Sequence, residues 1–307
     1  MDQKIIATIG AFDGVHVGHQ DLFAQMRHYA DRYLSARLLI LTFVPYPADV
    51  LRPSGRQHID PVQRHLEHLA QIEGFELVPM TFSEELASHS AATFLREVLR
   101  DQLHVTDLFL GYDNRFGAGA QLSFEEYQAL GAQYGIKVLQ SDSLSLEGEV
   151  VSSPWIKARI SRGELREAYR ALGRPYAVFG TVVTGQQLGR RLGYPTANIR
   201  REDPDQLLLP DGVYACDLEL QRPSGEAEKY HAMLYIGKRP TLGGELERTI
   251  EVHILDFDEM IYGMEVAVHI FEQLHPERRF ASTEELRTAL AAYEADTRRY
   301  FAENTRY

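Results

Sequence analysis

A change of rhythm near residue 160 constrains this chain most. Before it, short apolar runs alternate with helix-length amphipathic segments; after it, strand-like runs follow one another with almost no helix between them. "KIIATI" (4–9) predicts a first strand. "HQDLFAQMRHYADRYL" (19–34) predicts a helix, because Leu22, Phe23, Met26, Ala30 and Tyr33 recur at spacings of three and four. "ARLLILTF" (36–43) is almost continuously apolar, as a parallel strand covered on both faces must be, and Pro45 and Pro47 end it. "DPVQRHLEHLAQI" (60–72) predicts a helix opened by Asp60 with Pro61 in its first turn. The pattern continues with a strand at 75–80, a helix at 90–103 capped by Ser90, a strand at 104–111, a helix at 123–135 and a strand at 136–140. Strands and helices alternating at this length predict an α/β domain with a mostly parallel sheet.

"SRGELREAYRALGRPY" (161–176) reads as one short connecting helix and a turn. The segments "YAVFGTVVTG", "GVYACDLEL", "YHAMLYIG", "ERTIEVHILD" and "MEVAVHIFEQL" then predict a small barrel or sandwich. "STEELRTALAAYEADTRRYF" (282–301) predicts a closing helix capped by Ser282, with Glu285 as its capping-box partner. The expected organisation is a domain over 1–160, a connector over 161–175 and a second domain over 176–307, in keeping with a length of 307 residues.

Charge and cysteine content narrow the functional classes. A net charge of -12 and a pI of about 5.5 argue against a general DNA or RNA binder, which carries a broad basic face. They leave room for a small basic pocket that takes a nucleotide. The single cysteine, Cys216, permits neither an internal disulfide nor a thiol-rich metal cluster. With no run of 18 apolar residues and no signal-peptide pattern, no membrane partner is expected, and the expected location is the cytoplasm. Homo-oligomerisation is not predicted.

Two stretches carry chemistry. "GAFDGVHVGHQ" (10–20) follows the first strand, at the end of a parallel sheet where such domains bind ligands. Gly10, Gly14 and Gly18 permit tight turning, and the helix beginning beside His19 turns free N–H groups outward. His16 and His19 could both donate to phosphate oxygens and offset charge developing at phosphorus. On spacing alone, an ordinary polar turn with surface histidines is the commoner explanation of the pair. The stretch matches neither the dinucleotide glycine fingerprint, the P-loop, nor the H-E-x-x-H zinc motif.

The second stretch is "GTVVTGQQLGRRLGYPTANIR" (180–200). Gly185, Gly189 and Gly193 recur every four residues beside Arg190 and Arg191. Thr196 and Asn198, two apart on an extended segment, point the same way and could reach a hard cation such as Mg²⁺ beside phosphates. A hairpin loop with a polar rim fits the same residues. On "TIEVHILDF", Glu251 and His253 alternate with Ile250, Val252 and Ile254, which by itself describes a solvent-facing glutamate.

"GAFDGVHVGHQ" closely resembles the signature of the bacterial bifunctional riboflavin kinase/FAD synthetase family, and the resemblance runs over nearly the whole chain. "LTFVPYP" (41–47), "GYDNRFG" (111–117), "VSSPWIKARI" (151–160), "GYPTAN" (193–198), "MLYIGKRPT" (233–241), "IEVHILDFD" (250–258) and "HPERRF" (275–280) match further family blocks. The resemblance implies a nucleotidyltransferase-like α/β domain followed by a small antiparallel β-barrel, riboflavin kinase-like, with a C-terminal helix. It implies that His16 and His19 act at ATP phosphates, with Gly10, Phe12, Asp13, Gly14, Gly18, Ser152, Ser153 and Lys157 around the nucleotide. Asp113, Arg115, Phe116 and Gly117 would lie beside nucleotide and flavin.

In the second domain the resemblance assigns Thr196 and Asn198 to the magnesium of ATP and Glu251 to the catalytic base. Gly185, Gly189, Arg190, Gly193 and Pro195 would surround the phosphates, and His253 would be a neighbour tuning Glu251. From the residues themselves, Tyr194, Tyr235, Phe257 and Phe271 could stack on a flavin ring, although such aromatics more often belong to a core, and none is singled out. The implied reactions are phosphorylation of riboflavin to FMN and adenylylation of FMN to FAD, with ATP as co-substrate of both and small molecules as the partners. Three positions depart from the family pattern. Pro154 stands for Thr, Lys157 for Arg and Tyr46 for His. Proline offers no N–H, and lysine loses the guanidinium fork. These departures motivate two alternatives: a riboflavin kinase with weak or altered adenylylation, and a non-catalytic flavin or nucleotide sensor.

Overall fold

The computed structural model describes residues 3–51, 57–119, 122–185, 189, 192–240 and 246–304. They form two compact units, Met1–Ser153 and Pro154–Tyr307.

In the first unit the strands are β1 (Lys4–Ile9), β2 (Ala36–Val44), β3 (Glu76–Thr81), β4 (Asp107–Leu110) and β5 (Lys137–Gln140). They make one five-stranded sheet in the order β3-β2-β1-β4-β5, and every pairing is parallel. Side chains alternate across it. Ile5, Ala7, Ile9, Leu39, Leu41, Leu108 and Leu110 face one core, against Leu95 and Leu99. Ile6, Leu38, Ile40 and Phe109 face the other, against Leu22, Phe23 and Met26 of α1 (Val17–Ala30). Both faces are covered, which is why "ARLLILTF" has no polar alternation.

The helices of this unit continue with α2 (Pro47–Leu51), α3 (Val62–Ala70), α4 (Glu84–Ser88), α5 (Ala91–Thr93) and α6 (Phe124–Gln133). Helix α5 runs on as a π-type helix over Phe94–Gln102. A short hairpin, β6 (Ser145–Leu146) and β7 (Glu149–Val150), follows β5.

Three local expectations shift. Helix α1 begins two residues earlier than the apolar spacing indicates, with His16 as its N-cap residue. It ends four residues earlier, because the chain turns at Asp31 and leaves Leu34 100% exposed. Asp60 does not cap α3; that position falls to Pro61, and the Asp60 carboxylate pairs with His68 at 3.1 Å. The expected connector helix is two helices, α7 (Ser153–Arg162) and α8 (Leu165–Leu172), broken at Gly163, where φ is 75°.

The remaining strands are β8 (Tyr176–Val183), β9 (Ala197–Arg201), β10 (Gly212–Gln221), β11 (Ala227–Pro240), β12 (Leu246–Ile254) and β13 (Glu265–Pro276). They close into a barrel in the order β10-β11-β12-β9-β8-β13, antiparallel at each pairing. Closure removes the sheet edges. Helix α9 (Thr283–Glu303) lies along β10, β11 and β13. The Ser282 side chain accepts from Glu285 N at 3.1 Å. The Glu285 carboxylate takes Ala281 N at 2.9 Å and Arg278 instead of completing the expected box.

Candidate active sites in the two units

The strand order reverses at β1. The chain leaves it toward β2 and β3, then returns to place β4 on its other side. Ligands of open α/β sheets bind beyond the strand ends at such a point. The segment 10–16 leaves β1 there and the segment 111–119 leaves β4. Asn114 Nδ2 donates to Ile9 O and ties the two together.

The first segment is tightly wound. Phe12, Gly14 and Val15 all have positive φ, at 47°, 84° and 41°. Such values in two non-glycine residues are held by the surroundings. Here Val15 N donates to Phe12 O at 2.9 Å. The buried Asp13 accepts at Oδ1 from Ile59 N at 2.9 Å, and its carbonyl accepts from Ser153 Oγ at 2.9 Å. Gly10 N donates to Leu41 O at 3.1 Å, anchoring the segment to β2.

His16 does not cap α1 through its side chain; its ring stacks on that of His19, with centroids 3.5 Å apart. Phe12 meets His19 edge-on at 5.1 Å, and Gly18 packs under the His16 ring. Among the described residues, Nδ1 of each ring is buried without a hydrogen-bond partner. Burial pushes His16 down to about 4 and His19 well below the ordinary imidazole value, with His16 and His65 adding to the push on His19. Both rings are therefore neutral at pH 7. Two neutral rings with unpartnered nitrogens beside a helix N-terminus are able to donate to an anion without repelling each other.

The other residues singled out in this unit divide. Phe116 packs on Tyr127, with ring centroids 4.7 Å apart, and its backbone exchanges hydrogen bonds with the Tyr127 hydroxyl. Gly117, at φ 95°, lies against Ala91. Asp113 and Arg115 are exposed beside them. Ser152 and Ser153 are half-buried just ahead of and at the start of α7. Pro154 occupies the first turn of α7, where the missing N–H has no helical acceptor to lose. Lys157 follows on the same helix, within the second unit. Tyr46 is buried, donates to Asp60 O at 3.3 Å and stacks on His58 at 4.4 Å.

In the barrel, the pairings of β9 and β12 put Asn198 opposite Glu251 and Ala197 opposite Val252. Thr196, just ahead of β9, donates from Oγ1 to Glu251 Oε2 at 3.1 Å. Residues 55 positions apart in sequence thus share one hydrogen bond. Glu251 is only 6% exposed, so alternation misleads about it: its face of β12 is covered. Gly185 packs against the Asn198 amide so closely that any Cβ there would overlap it. Gly189 accepts from Tyr194 N at 2.8 Å, Gly193 has a φ of 90°, and Pro195 is exposed. Arg190 lies outside the described residues.

Two cavities flank this segment. One, of about 240 Å³, is lined by Glu251, His253, Val213, Met233 and Tyr235 of the barrel and by Leu286, Leu290 and Tyr293 of α9. The other, of about 230 Å³, lies on the opposite face of β12, lined by Val252 and Ile254 and by the segment Phe257–Tyr262. Thr196 is the residue common to both. Of the aromatic candidates, Tyr194 and Tyr235 line the first cavity and Phe257 the second, whereas Phe271 packs on Tyr300. The part played by α9 was not anticipated; the i, i+4, i+7 spacing of Leu286, Leu290 and Tyr293 marks that face.

A switch-point sheet of the nucleotidyltransferase-like kind and a closed barrel with a Thr–Asn–Glu cluster together define a two-domain nucleotide-dependent transferase. The FAD synthetase family model matches residues 1–155, and the riboflavin kinase family model matches residues 172–301. The chain belongs to the bifunctional riboflavin kinase/FMN adenylyltransferase family. The relative so named from Pseudomonas fluorescens is 34% identical, covering 94% of this chain and 90% of its own. The one from Listeria monocytogenes is 32% identical, covering 98% and 94%. A solved structure from Streptococcus pneumoniae, named a macrolide-efflux protein, superposes with a TM-score of 0.82 at 31% identity, covering 97% of this chain and 95% of that one. Among the described residues of this chain, no helix is long and apolar enough to cross a membrane.

Proposed function

We propose that the second unit transfers the γ-phosphoryl group of ATP to riboflavin, giving FMN and ADP, and that the first unit joins FMN to the AMP part of a second ATP, giving FAD and pyrophosphate. The observation that carries the reading is the Thr196–Glu251 hydrogen bond with Asn198 in register beside it. In this reading Glu251 orients the primary hydroxyl of riboflavin and takes its proton as the phosphoryl group arrives. Phosphoryl transfer asks chiefly for such positioning.

Thr196 Oγ1 and Asn198 Oδ1 are hard oxygen ligands, and Gly185 packs directly against the Asn198 amide. That set suits a magnesium ion whose other ligands are phosphate oxygens and water. Among the described residues no cluster of His, Cys, Asp and Glu offers a separate metal cage. When bound, the ion would draw charge from the phosphate chain. Thr196 can serve it through an Oγ1 lone pair while its hydroxyl proton points to Glu251 Oε2.

In the first unit, His16 and His19 donate to the phosphates of the second ATP, and the N-terminus of α1 adds its free N–H groups. Gly10, Phe12, Asp13, Gly14 and Gly18 hold that loop, while Ser152 and Ser153 are assigned to the same nucleotide. Asp113, Arg115, Phe116 and Gly117 are assigned to the flavin side. The place of Pro154 in a helical first turn keeps α7 intact, and the weakened form stays the alternative that the assay below distinguishes. Two ATP-consuming steps and a single buried cysteine, Cys216, suit the cytoplasm. Incubation with riboflavin, ATP and Mg²⁺, with FMN and FAD resolved by chromatography over time, tests the reading. FMN should rise first and FAD follow. Failure to form FMN overturns the kinase assignment, and FMN that never becomes FAD overturns the adenylyltransferase assignment.

A further inference from the structure

His253 shares its cavity with Glu251 yet has no task in the reading above. It is buried, two residues from Glu251 on the same face of β12. Its Nδ1 lies 2.8 Å from the Pro195 carbonyl oxygen. A carbonyl only accepts, so Nδ1 holds the proton and donates. In the neutral ring Nε2 then carries a lone pair. Nε2 has no hydrogen-bond partner among the described residues, while the ring lines the cavity. Tyr194 meets the ring edge-on at 5.5 Å and fixes its plane.

On this face of β12 the cavity thus offers two acceptors in a row, a carboxylate and an imidazole nitrogen, against walls that are largely apolar, such as Val213, Met233 and Leu286. Two acceptors in line suit a ligand with hydroxyl donors in line. We infer that His253 does two things at once: Nε2 accepts a hydrogen bond from a secondary hydroxyl of the acceptor's polyol chain, and Nδ1 holds the Pro195–Thr196 turn. The inference rests on the kinase reading. It adds that recognition of the polyol and placement of Thr196 run through one ring. His253 is in this sense a binding and positioning residue for the transfer.

Steady-state kinetics on the full chain, with FMN followed by chromatography, separate the two tasks. In His253→Asn the amide N–H replaces the Nδ1–H, and nothing reaches the place of Nε2. KM for riboflavin should rise about tenfold, the size of one lost hydrogen bond, while KM for ATP stays within about twofold. His253→Leu should raise both. An unchanged riboflavin KM in His253→Asn overturns the inference, and so does an equal rise in both KM values, which a merely structural role would give. The unmutated protein supplies an independent arm, with riboflavin analogues each lacking one secondary ribityl hydroxyl. One analogue should lose about tenfold in kcat/KM, and His253→Asn should add no further loss for it. If no analogue loses, the inference fails. If the unmutated protein makes no FMN from riboflavin, the kinase reading itself has failed.

Discussion

His16 and His65 are held neutral by burial, both pushed down to about 4. The unfolded chain takes up protons near 6.5, and the folded one refuses them until about 4. The folded state therefore keeps its full stability above 6.5, loses it as pH falls below that value, and stops losing near 4. Each ring accounts for up to about 3 kcal/mol across that window. Urea midpoints should drop between pH 7 and pH 5, and His65→Gln should flatten the drop. Equal pH slopes with and without His65 would contradict the argument. At the second site, Glu251→Gln keeps the shape and removes the base, so FMN formation should fall about a thousandfold while riboflavin still binds. Rapid quench and equilibrium binding would separate the two effects.

A strand period of two predicts a common direction for Thr196 and Asn198; in the fold Thr196 donates to Glu251 and Asn198 pairs opposite it. Their neighbour Glu251 was not legible from local pattern, since only the pairing of β9 with β12 joins them; the family resemblance supplied it.

Helices and strands were the more readable scale. The continuous apolar run of β2 reported a sheet covered on both faces, and Ser90 caps α5 as its position suggested, accepting from Thr93 N at 3.1 Å. Errors fell where a side chain had a stronger partner than the helix end. Asp60 was drawn to His68, and Glu285 to Ala281 N and Arg278. The hairpin β6–β7 passed unnoticed, although Glu147 and Gly148, at φ 54° and 86°, form the tight turn it needs. Helix α9 carries a prediction at this scale. Ser282→Ala removes its N-cap acceptor and should cost about 1 kcal/mol in urea unfolding. Because Leu286 stands in the next turn and lines the Glu251 cavity, the loss should also raise KM for riboflavin about two- to fivefold, by less than His253→Asn does. An unaltered KM would mean that α9 only covers the barrel.

Across the whole molecule the chemistry is divided between two units, Met1–Ser153 and Pro154–Tyr307, each with its own core. Substitutions far apart and without shared partners act additively. His16→Ala should lower FAD formation from supplied FMN about a hundredfold and leave FMN formation from riboflavin intact. Glu251→Gln should do the converse. A mixture of the two variants should make FAD from riboflavin, while the doubly substituted chain makes neither product. Loss of both activities in His16→Ala would point to damage of the fold.

The strand β12 carries a different lesson for insertions and deletions. Its alternate residues line cavities on opposite faces, with Glu251 and His253 toward one and Val252 and Ile254 toward the other. One residue inserted between Thr249 and Glu251 would reverse that assignment for everything after it. The carboxylate would turn into the cavity beside Phe257–Tyr262, and Val252 would take the face toward α9, with every side chain still present. Length drift in this barrel can therefore be absorbed in the connections between strands but not within β12, whose parity keeps Glu251 and His253 on the same side.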